Sequence, residues 1–407
     1  MALNALYVDF NSYFASVEQQ LRPELRGKPI GILAVMAETT CCIAASYEAK
    51  AFGIKTGTGV RDARKLCKDM IFVEARPPLY VEYHHKLIEI VESCTHVEKV
   101  LSIDEMVCFL TGSQQVKENA LKLAAKIKKK ISEQYPFIRS SIGIAPNTFL
   151  AKTASNMQKP DGCVVIEDSD IPQKLFNLKL RALNGIGSQM QARLNRYKIA
   201  TVEQLYAANK QQLRAAWGSI EGERYYDKLR GIEPFYVKNA RSSLGHSHVL
   251  PPEQRTIMGA KAVLHRLLQK SAMRMRSYEL LTSRISIKVK FRGQPSFNAD
   301  SGCDPTDNTL HLTESLETLW QQYPTHGVEP VAVGVNFSGL VSADEVTYDL
   351  FTAKPSANEK KLNKALDILN LKYGKNTVYF AGAHDALKNA PMRIAFNHIP
   401  DMVIEED

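Results

Sequence analysis

Residues 5 to 9, ALYVD, are an apolar run closed by an acid, the pattern of a short buried strand, and the following SYFASVEQQL sets Val17 and Leu21 one helical turn apart. Asp9 therefore stands at a strand end. GILAV predicts a second strand, and Ser46 can cap a short helix, YEAKAF, that stops at Gly53 and carries Tyr47 and Lys50 on one face. Residues 100 to 110, VLSIDEMVCFL, read as strand, turn or bulge, strand. Ser113 is then expected to start a helix running to about Tyr135, with Val116, Ala120, Leu123, Ile127 and Ile131 inward; Lys117, Lys122, Lys126 and Lys129 form a solvated surface. SSIGIA predicts another strand, and Asn147 can cap a helix with Leu150, Ala154 and Met157 inward, ended by Pro160 and Gly162. Strand and helix alternate through residue 166, which gives an α/β or α+β first half.

From 167 to about 236 short helices separated by glycines predict a small helical domain. SSLGHSHVLPPEQRT reads as an extended linker into a strand, followed by a helix around 257 to 277. In SRISIKVKFR the period changes: Ile285, Ile287, Val289 and Phe291 alternate with Arg284, Ser286, Lys288, Lys290 and Arg292, so a strand buries one face and turns four cations to the other. VAVGVNF repeats the alternation, with Val331, Val333, Val335 and Phe337 inward and the small Ala332, Gly334 and Asn336 opposite, which lets a large ligand approach. A sheet facing a phosphate backbone is the physical picture. The tail predicts a helix, NEKKLNKALDILNLKYG, and a strand, TVYFAG.

Composition adds detail to this outline. At 407 residues, with 44% hydrophobic and 23% charged residues and no long biased tract, the chain should fold as three or four compact domains. No run approaches the ~18 apolar residues of a membrane-spanning helix, and MALNALYVDF lacks a basic leader, so a cytoplasmic protein with no membrane contact is expected. Seven cysteines without CxxC spacing argue against a disulfide framework and a zinc site. The net charge is +9, and between Arg241 and Arg292 stand 11 Lys or Arg against two acids, Glu253 and Glu279. That surplus equals the charge of the whole chain and favours an anionic partner for this stretch.

Asp104 and Glu105 are adjacent, so on a regular strand they would point to opposite faces; both serve one site only at a hairpin end or a distortion. Brought beside Asp9, three carboxylates repel one another unless hard cations lie between them. Two Mg²⁺ ions, ~3.5 to 4 Å apart, would resolve the repulsion and can drive in-line phosphoryl displacement. Taken alone, these acids are better read as exposed strand ends; the residues around them reverse that reading.

The string YVDFNSYFASVE, followed by AASYEAKAFGIKTG, SIDE, SIGIAPNTFLAKTASNMQKPDG and LNGIG, resembles the Y-family DNA polymerases over roughly residues 4 to 345, closest to the bacterial polymerase IV and polymerase V types. The resemblance implies an α+β multidomain right-hand fold: palm at 1–18 and 78–166, small fingers at 19–77, a helical thumb with a helix-hairpin-helix at 167–236, an α/β little finger with a DNA-binding sheet at 241–345, and a tail at 346–407. It implies that Asp9, Asp104 and Glu105 are catalytic and bind Mg²⁺ together with the backbone carbonyl of Phe10. Phe14 matches the steric gate, a ring that would collide with a ribose 2′-OH. Tyr47, Lys50 and Lys159 match residues that hold the incoming triphosphate, where cations offset developing charge. The implied reaction is attack of a primer 3′-hydroxyl on the α-phosphate of a dNTP, performed by a monomer on primer-template DNA at damaged sites.

Three departures stand out. Asn11 replaces an Asp found in many relatives, although polymerase V types share the Asn; Ala44 replaces a phosphate-holding threonine; and Lys50 stands where many members have Arg, offering point charge without a bidentate fork. Gly185 and Gly187 in LNGIG look like a helix-hairpin-helix turn that binds DNA phosphate through backbone N–H groups, with Arg193 and Arg196 nearby; a plain interhelical turn has the same appearance. In the tail, Thr347 to Phe351 loosely resembles a sliding-clamp-binding peptide through Leu350 and Phe351, without the usual leading Gln; a plain strand or hydrophobic anchor is the alternative. Two rival functions stand beside this one: a catalytically silent DNA-binding accessory protein, against which the intact acids and Phe14 argue, and a two-metal nucleotide cyclase, which would not need the DNA-binding half.

Overall fold

The computed structural model describes residues 2–235, 241–324, 329–346, 357–389, 394 and 399–400. They fall into two compact units, one drawn mainly from Met1–Leu33 and Cys41–Val237, the other from Ala34–Thr40 and Lys238–Ile394.

In chain order the first unit holds β1 (Ala5–Phe10), α1 (Tyr13–Leu21), β2 (Ile30–Leu33), β3 (Cys42–Ala45), α2 (Tyr47–Ala51), α3 (Val60–Leu66), β4 (Ile71–Glu74) and α4 (Pro77–Glu92). Next come β5 (Lys99–Ser102), β6 (Glu105–Phe109), α5 (Lys117–Gln134), β7 (Ser140–Ala145), α6 (Thr148–Met157) and β8 (Cys163–Val165). Five short helices close it: α7 (Gln173–Phe176), α8 (Ser188–Arg196), α9 (Val202–Ala207), α10 (Lys210–Trp217) and α11 (Glu221–Leu229). Five strands form one sheet in the order β5-β6-β1-β7-β8, with β1 antiparallel to both β6 and β7; β3-β2-β4 form a small separate sheet. Every residue of β1 and β7 is buried, as their near-continuous apolar sequences require of strands covered on both faces.

Strand alternation puts Ala5, Tyr7 and Asp9 on one face of β1, and Ala5 and Tyr7 pack in a core shared with α6. A glycine is needed beneath this helix: a Cβ on Gly143 would lie 1.9 Å from the Ala151 carbonyl oxygen. The same core runs on into Leu194, Leu205, Leu213 and Leu229 of the short-helix segment, so that segment is fused to the sheet rather than hung beside it. Asn147 strengthens the joint, its amide nitrogen donating to the carbonyls of Lys228 and Ile232 at 2.9 Å each.

The caps expected at Ser46 and Asn147 are present, each side-chain oxygen accepting from the N–H three residues on. The helix expected to start at Ser113 does not begin there. A 3-10 turn, Gly112–Gln115, closes first, with Thr111 and Gln114 satisfying each other's backbone N–H groups, and the α-helix opens at Lys117. Val116 therefore caps α5 and is 51% exposed instead of facing inward, while Ala120, Ala124, Ile127 and Ile131 are buried. The helix capped by Asn147 ends at Met157, just before Pro160.

The second unit holds β9 (Ser243–Val249), α12 (Ile257–Ser277), β10 (Leu280–Phe291), β11 (Gln294–Thr306), α13 (Thr309–Trp320), β12 (Pro330–Ser342) and α14 (Ala357–Tyr373). Its sheet is antiparallel throughout, in the order β11-β10-β12-β9. Ile285, Ile287, Val289, Val333, Val335 and Phe337 form a core with α12 and α13, which covers one face as the alternation predicts. Two expectations change here. The stretch read as a linker into a strand is itself β9, paired with β12 from Ser243 to Val249. TVYFAG forms no strand: the Val378 and Phe380 backbones bond to the side-chain amides of Asn370 and Gln269, and Ala381–Ala386 turns as a 3-10 helix. Side chains thus do for this segment what a neighbouring strand would have done. Arg276 also grips Asp367 of α14 through two bonds of 2.6 and 2.8 Å, so the tail packs on α12. Leu350 and Phe351 lie outside the described residues. Among the described residues no helix is long and apolar enough to cross a membrane.

Candidate active site

The turn between β5 and β6 supplies the distortion that adjacent acids need. The ladder shifts register between Val100 and Ser102, Asp104 sits in the turn, and Glu105 opens β6 directly opposite Asp9 of β1. The Phe10 N–H donates to the Asp104 carbonyl at 2.9 Å, fastening the strand end to the turn. Asp9, Phe10, Asp104 and Glu105 thus gather at one corner of the sheet. Phe10 is fully buried and follows Asp9 in the ladder, opposite Ser140.

The negative charge collected here is answered by lysines. Lys152 of α6 places its ammonium 2.7 Å from Asp9 and also bonds Glu105, and Lys159 reaches the other Asp9 oxygen at 2.7 Å. Burial works against the Lys152 charge, but Asp9 and Glu105 outweigh it and hold its pKa above the usual lysine value. Tyr7 donates to Glu105 at 2.7 Å, and its own pKa is pushed up by burial and then by that carboxylate. Asp104 turns to Ser102, whose hydroxyl donates at 2.6 Å. Burial, reinforced by Glu105 and Asp9, lifts Asp104 to about 6 despite that bond.

Among the described residues no three of His, Cys, Asp and Glu converge closely enough to form a metal site. Asp9 and Glu105 are bridged by Lys152, and Asp104 is bonded to Ser102. The donors nevertheless fit a hard divalent ion in type, being carboxylate oxygens gathered at one sheet corner. The countercharge they require is carried here by ammonium groups.

The triphosphate candidates lie alongside. Lys50 and Tyr47, one turn apart on α2, stack with the ammonium 4.4 Å from the ring centroid. Lys50 also donates to the Ser12 hydroxyl at 2.7 Å; Ser12 holds a left-handed backbone, φ 50°, between β1 and α1. Burial and then the nearby Lys159 ammonium lower the Lys50 pKa. Tyr47 is pushed up to about 12 by burial and by Asp9. Lys50, Lys159 and Asp9 are therefore mutually close.

Lys159 rides on a turn with its own anchorage. Lys128 of α5 donates to the Asp161 carboxylate at 2.6 Å and to the carbonyls of Ser140 (2.8 Å), Asp161 (2.5 Å) and Gly162 (3.3 Å). The Asn11 side-chain oxygen accepts from the Asp161 N–H at 2.7 Å, and its amide reaches Ser141. Asn11 is buried and spent on this turn, so the departure from Asp removes no carboxylate from the corner. Phe14 is half-buried on the first turn of α1, its ring stacked on Tyr80 at 4.5 Å. Ala44, the other departure, lies on β3 opposite Ile32.

Sequence reasoning missed Lys152, Lys128, Ser12 and Tyr80. A signal existed for the first: Lys152 is the one charged residue in TFLAKTASNM, a helix whose neighbouring positions are all buried.

At the short-helix segment, Gly185 adopts φ +86°, which favours glycine, and Gly187 precedes α8 without any side-chain cap. The Tyr225 hydroxyl steadies the turn by donating to the Asn184 carbonyl at 3.0 Å. In the second unit Arg284, Lys288, Lys290 and Arg292 are exposed as expected. Two of them, however, have acid partners: Arg284 pairs with Asp300 of β11 at 2.5 Å and Arg292 with Glu329 at 3.9 Å. Among the described residues Lys288 and Lys290 carry no ion pair, opposite the small Gly334 and Ala332 of β12.

Residues 8–156 match the impB/mucB/samB family, and residues 241–350 match the C-terminal domain of that family. The chain is 33% identical to a DNA polymerase IV of Moorella thermoacetica over 92% of its own length and 95% of that protein's. It is 30% identical to a DNA polymerase IV of Pelotomaculum thermopropionicum, covering 92% and 93%, and 28% identical to DNA polymerase IV 1 of Bacillus subtilis, covering 91% of each. Among solved structures, a Y-family polymerase chimera of Dbh and Dpo4 superposes with a TM-score of 0.71 at 23% identity, over 84% of this chain and all of the other. An insertion ternary complex of Dbh gives 0.56 at 23%, over the same shares. At that identity the structures speak for the fold.

The family match and the relatives together define a template-directed nucleotidyltransferase, on a fold of the right-hand kind. More narrowly, the chain belongs to the impB/mucB/samB family, the Y-family DNA polymerases. It is a DNA-directed DNA polymerase of the translesion type, and the family depends on divalent metal.

Proposed function

We propose that the corner formed by Asp9, Asp104 and Glu105 is where a primer 3′-hydroxyl attacks the α-phosphate of a dNTP, with Mg²⁺ as the metal, two ions, and primer-template DNA as the other substrate. The pairing of Asp9 with Glu105 across β1 and β6, with Asp104 in the adjoining turn, carries this reading. Asp9, Asp104, Glu105 and the Phe10 carbonyl would hold the ions, which activate the hydroxyl and stabilise the leaving oxygen when bound. Lys50, Tyr47 and Lys159 orient the triphosphate and offset charge as pyrophosphate departs. The Phe14 ring excludes a 2′-hydroxyl. Lys152 bonds two of the acids, so its charge holds Asp9 and Glu105 together before any metal arrives.

By the same reading the five-stranded sheet with its flanking helices is the palm (1–18 and 78–166) and the small sheet belongs to the fingers (19–77). Residues 167–236 form the thumb and 241–345 the little finger. DNA phosphate lies against the N–H groups around Gly185 and Gly187 and against Lys288 and Lys290, helped by Arg284 and Arg292. The enzyme works as a monomer, and Leu350 with Phe351 engages the sliding clamp. Loss of clamp capture when both are changed to Ala supports the contact; undiminished capture refutes it.

The deciding experiment is primer extension with Mg²⁺ on undamaged and lesion-bearing templates. The intact chain should extend both, and Asp104→Ala should extend neither while binding DNA normally. Extension by Asp104→Ala would overturn the acid assignment.

A further inference from the structure

Glu18 is fully buried in the middle of α1, and nothing in the reaction as described uses it. A buried carboxylate is costly unless paired and hydrogen-bonded. This one is: Arg76 donates to it through two nitrogens, at 3.0 and 2.5 Å, and the Tyr80 hydroxyl donates at 2.9 Å. The Tyr80 carbonyl in turn accepts from the Tyr13 hydroxyl at 2.6 Å. Tyr80, at the start of α4, is therefore held by α1 at both its backbone and its ring tip, and it is wholly buried.

The Tyr80 ring is stacked on Phe14, centroids 4.5 Å apart and planes 15° from parallel. Phe14 is half-buried, so Tyr80 covers one face of the ring. A steric gate discriminates only as far as its ring refuses to yield. An aromatic side chain free to swing off its rotamer gives way for an amount equivalent to about tenfold at most. Stronger discrimination requires a wall behind the ring.

We propose that Tyr80, fixed by Glu18 and Arg76, is that wall: a positioning residue that sets sugar selection by denying Phe14 a path of retreat. This rests on the reading of Phe14 as the gate. The Glu18 carboxylate sits one turn after Phe14 on the same helix, so gate and wall are tied through a single element and keep their spacing.

The test is the ratio of kcat/KM for a dNTP to that for the matching rNTP opposite one template base. Phe14→Ala should collapse the ratio, Tyr80→Leu should bring it down to roughly ten, the limit for an unsupported ring, and Tyr80→Phe, which keeps the ring, should lower it by about threefold or less. In the double variant Phe14→Ala with Tyr80→Leu the ratio should equal that of Phe14→Ala alone, since a wall without a gate does nothing. A Tyr80→Leu ratio within twofold of the parent, or effects that multiply in the double variant, would overturn the proposal. If Tyr80→Leu does not fold, Arg76→Gln, which leaves both rings in place, must lower the ratio, and an unchanged ratio overturns it equally. Should Phe14→Ala itself leave the ratio unchanged, the gate assignment fails and the wall falls with it.

Discussion

Replacing His84 by Gln should flatten the acid side of the stability profile of the first unit. His84 is buried on α4, and its Nδ1 lies 2.7 Å from the Ile103 carbonyl, the residue before Asp104. A carbonyl only accepts, so Nδ1 carries the proton and the ring is neutral with a single hydrogen. Burial lowers the pKa to about 4, against which the Ile103 bond pulls only partly, with His85 adding to the depression. The unfolded chain, with an ordinary histidine near 6.5, therefore takes up a proton at higher pH than the folded one. The resulting stability is fully present above pH 6.5 and is lost as pH falls toward 4. By pH 5 the loss is roughly 2 kcal/mol, before most carboxylates titrate. The two tryptophans, Trp217 in α10 and Trp320 in α13, fall one in each unit. In a Trp320→Phe background, urea unfolding followed by Trp217 fluorescence reports on the unit that contains His84. Between pH 7.5 and 5.0 the parent should lose about 2 kcal/mol more than His84→Gln. Equal losses in the two proteins would refute a neutral buried imidazole bonded to the turn that carries Asp104.

Lys128→Met strips one carboxylate and three carbonyl oxygens of a shared donor and should cost about 2 to 3 kcal/mol by denaturant titration. It should also raise KM for dNTP, and much less so once Lys159 is already Ala; additive effects would mean that Lys128 does not act through Lys159. Changing Lys288 and Lys290 to Ser should make the slope of log affinity against log salt shallower by about 2, whereas Arg284→Ser, already paired with Asp300, should change it less. Gly185→Ala forces a side chain into a left-handed turn at a cost of about 1 to 2 kcal/mol. Anisotropy should show DNA affinity falling by a similar factor on unrelated sequences, and a sequence-selective loss would count against a phosphate contact there.

The local elements were legible where one short signal decided them. Ser46 and Asn147 cap the helices they were expected to cap, because a cap needs only the next three residues. The distortion at Asp104 and Glu105 could be foreseen from the requirement that adjacent acids serve one site, whereas Asp9 as their neighbour was expected only through the family resemblance. What sequence reading missed depends on partners distant along the chain. Lys152 meets Asp9 across 143 residues, and Arg76 meets Glu18 across 58. TVYFAG has strand propensity, but the amides of Gln269 and Asn370 satisfy its backbone first. The cations of β10 looked equivalent until β11 brought Asp300 within reach of Arg284 across the ladder. The helical segment looked autonomous from its spacing of glycines, and only the shared core reveals its attachment.

That attachment bears on how the enzyme would feel its template. Helix α6 is ten residues long, about 15 Å. At its first turn Asn147 holds the carbonyls of Lys228 and Ile232, and farther along Lys152 holds Asp9 and Glu105. A stiff rod pinned at one end to the segment proposed to grip DNA, and bonded along its length to the acid corner, would serve as a lever if both proposed roles hold. A distorted duplex that shifts the gripping helices by a fraction of an ångström would move the Lys152 ammonium against the acids, so misalignment of the template would reach the chemistry without any moving domain.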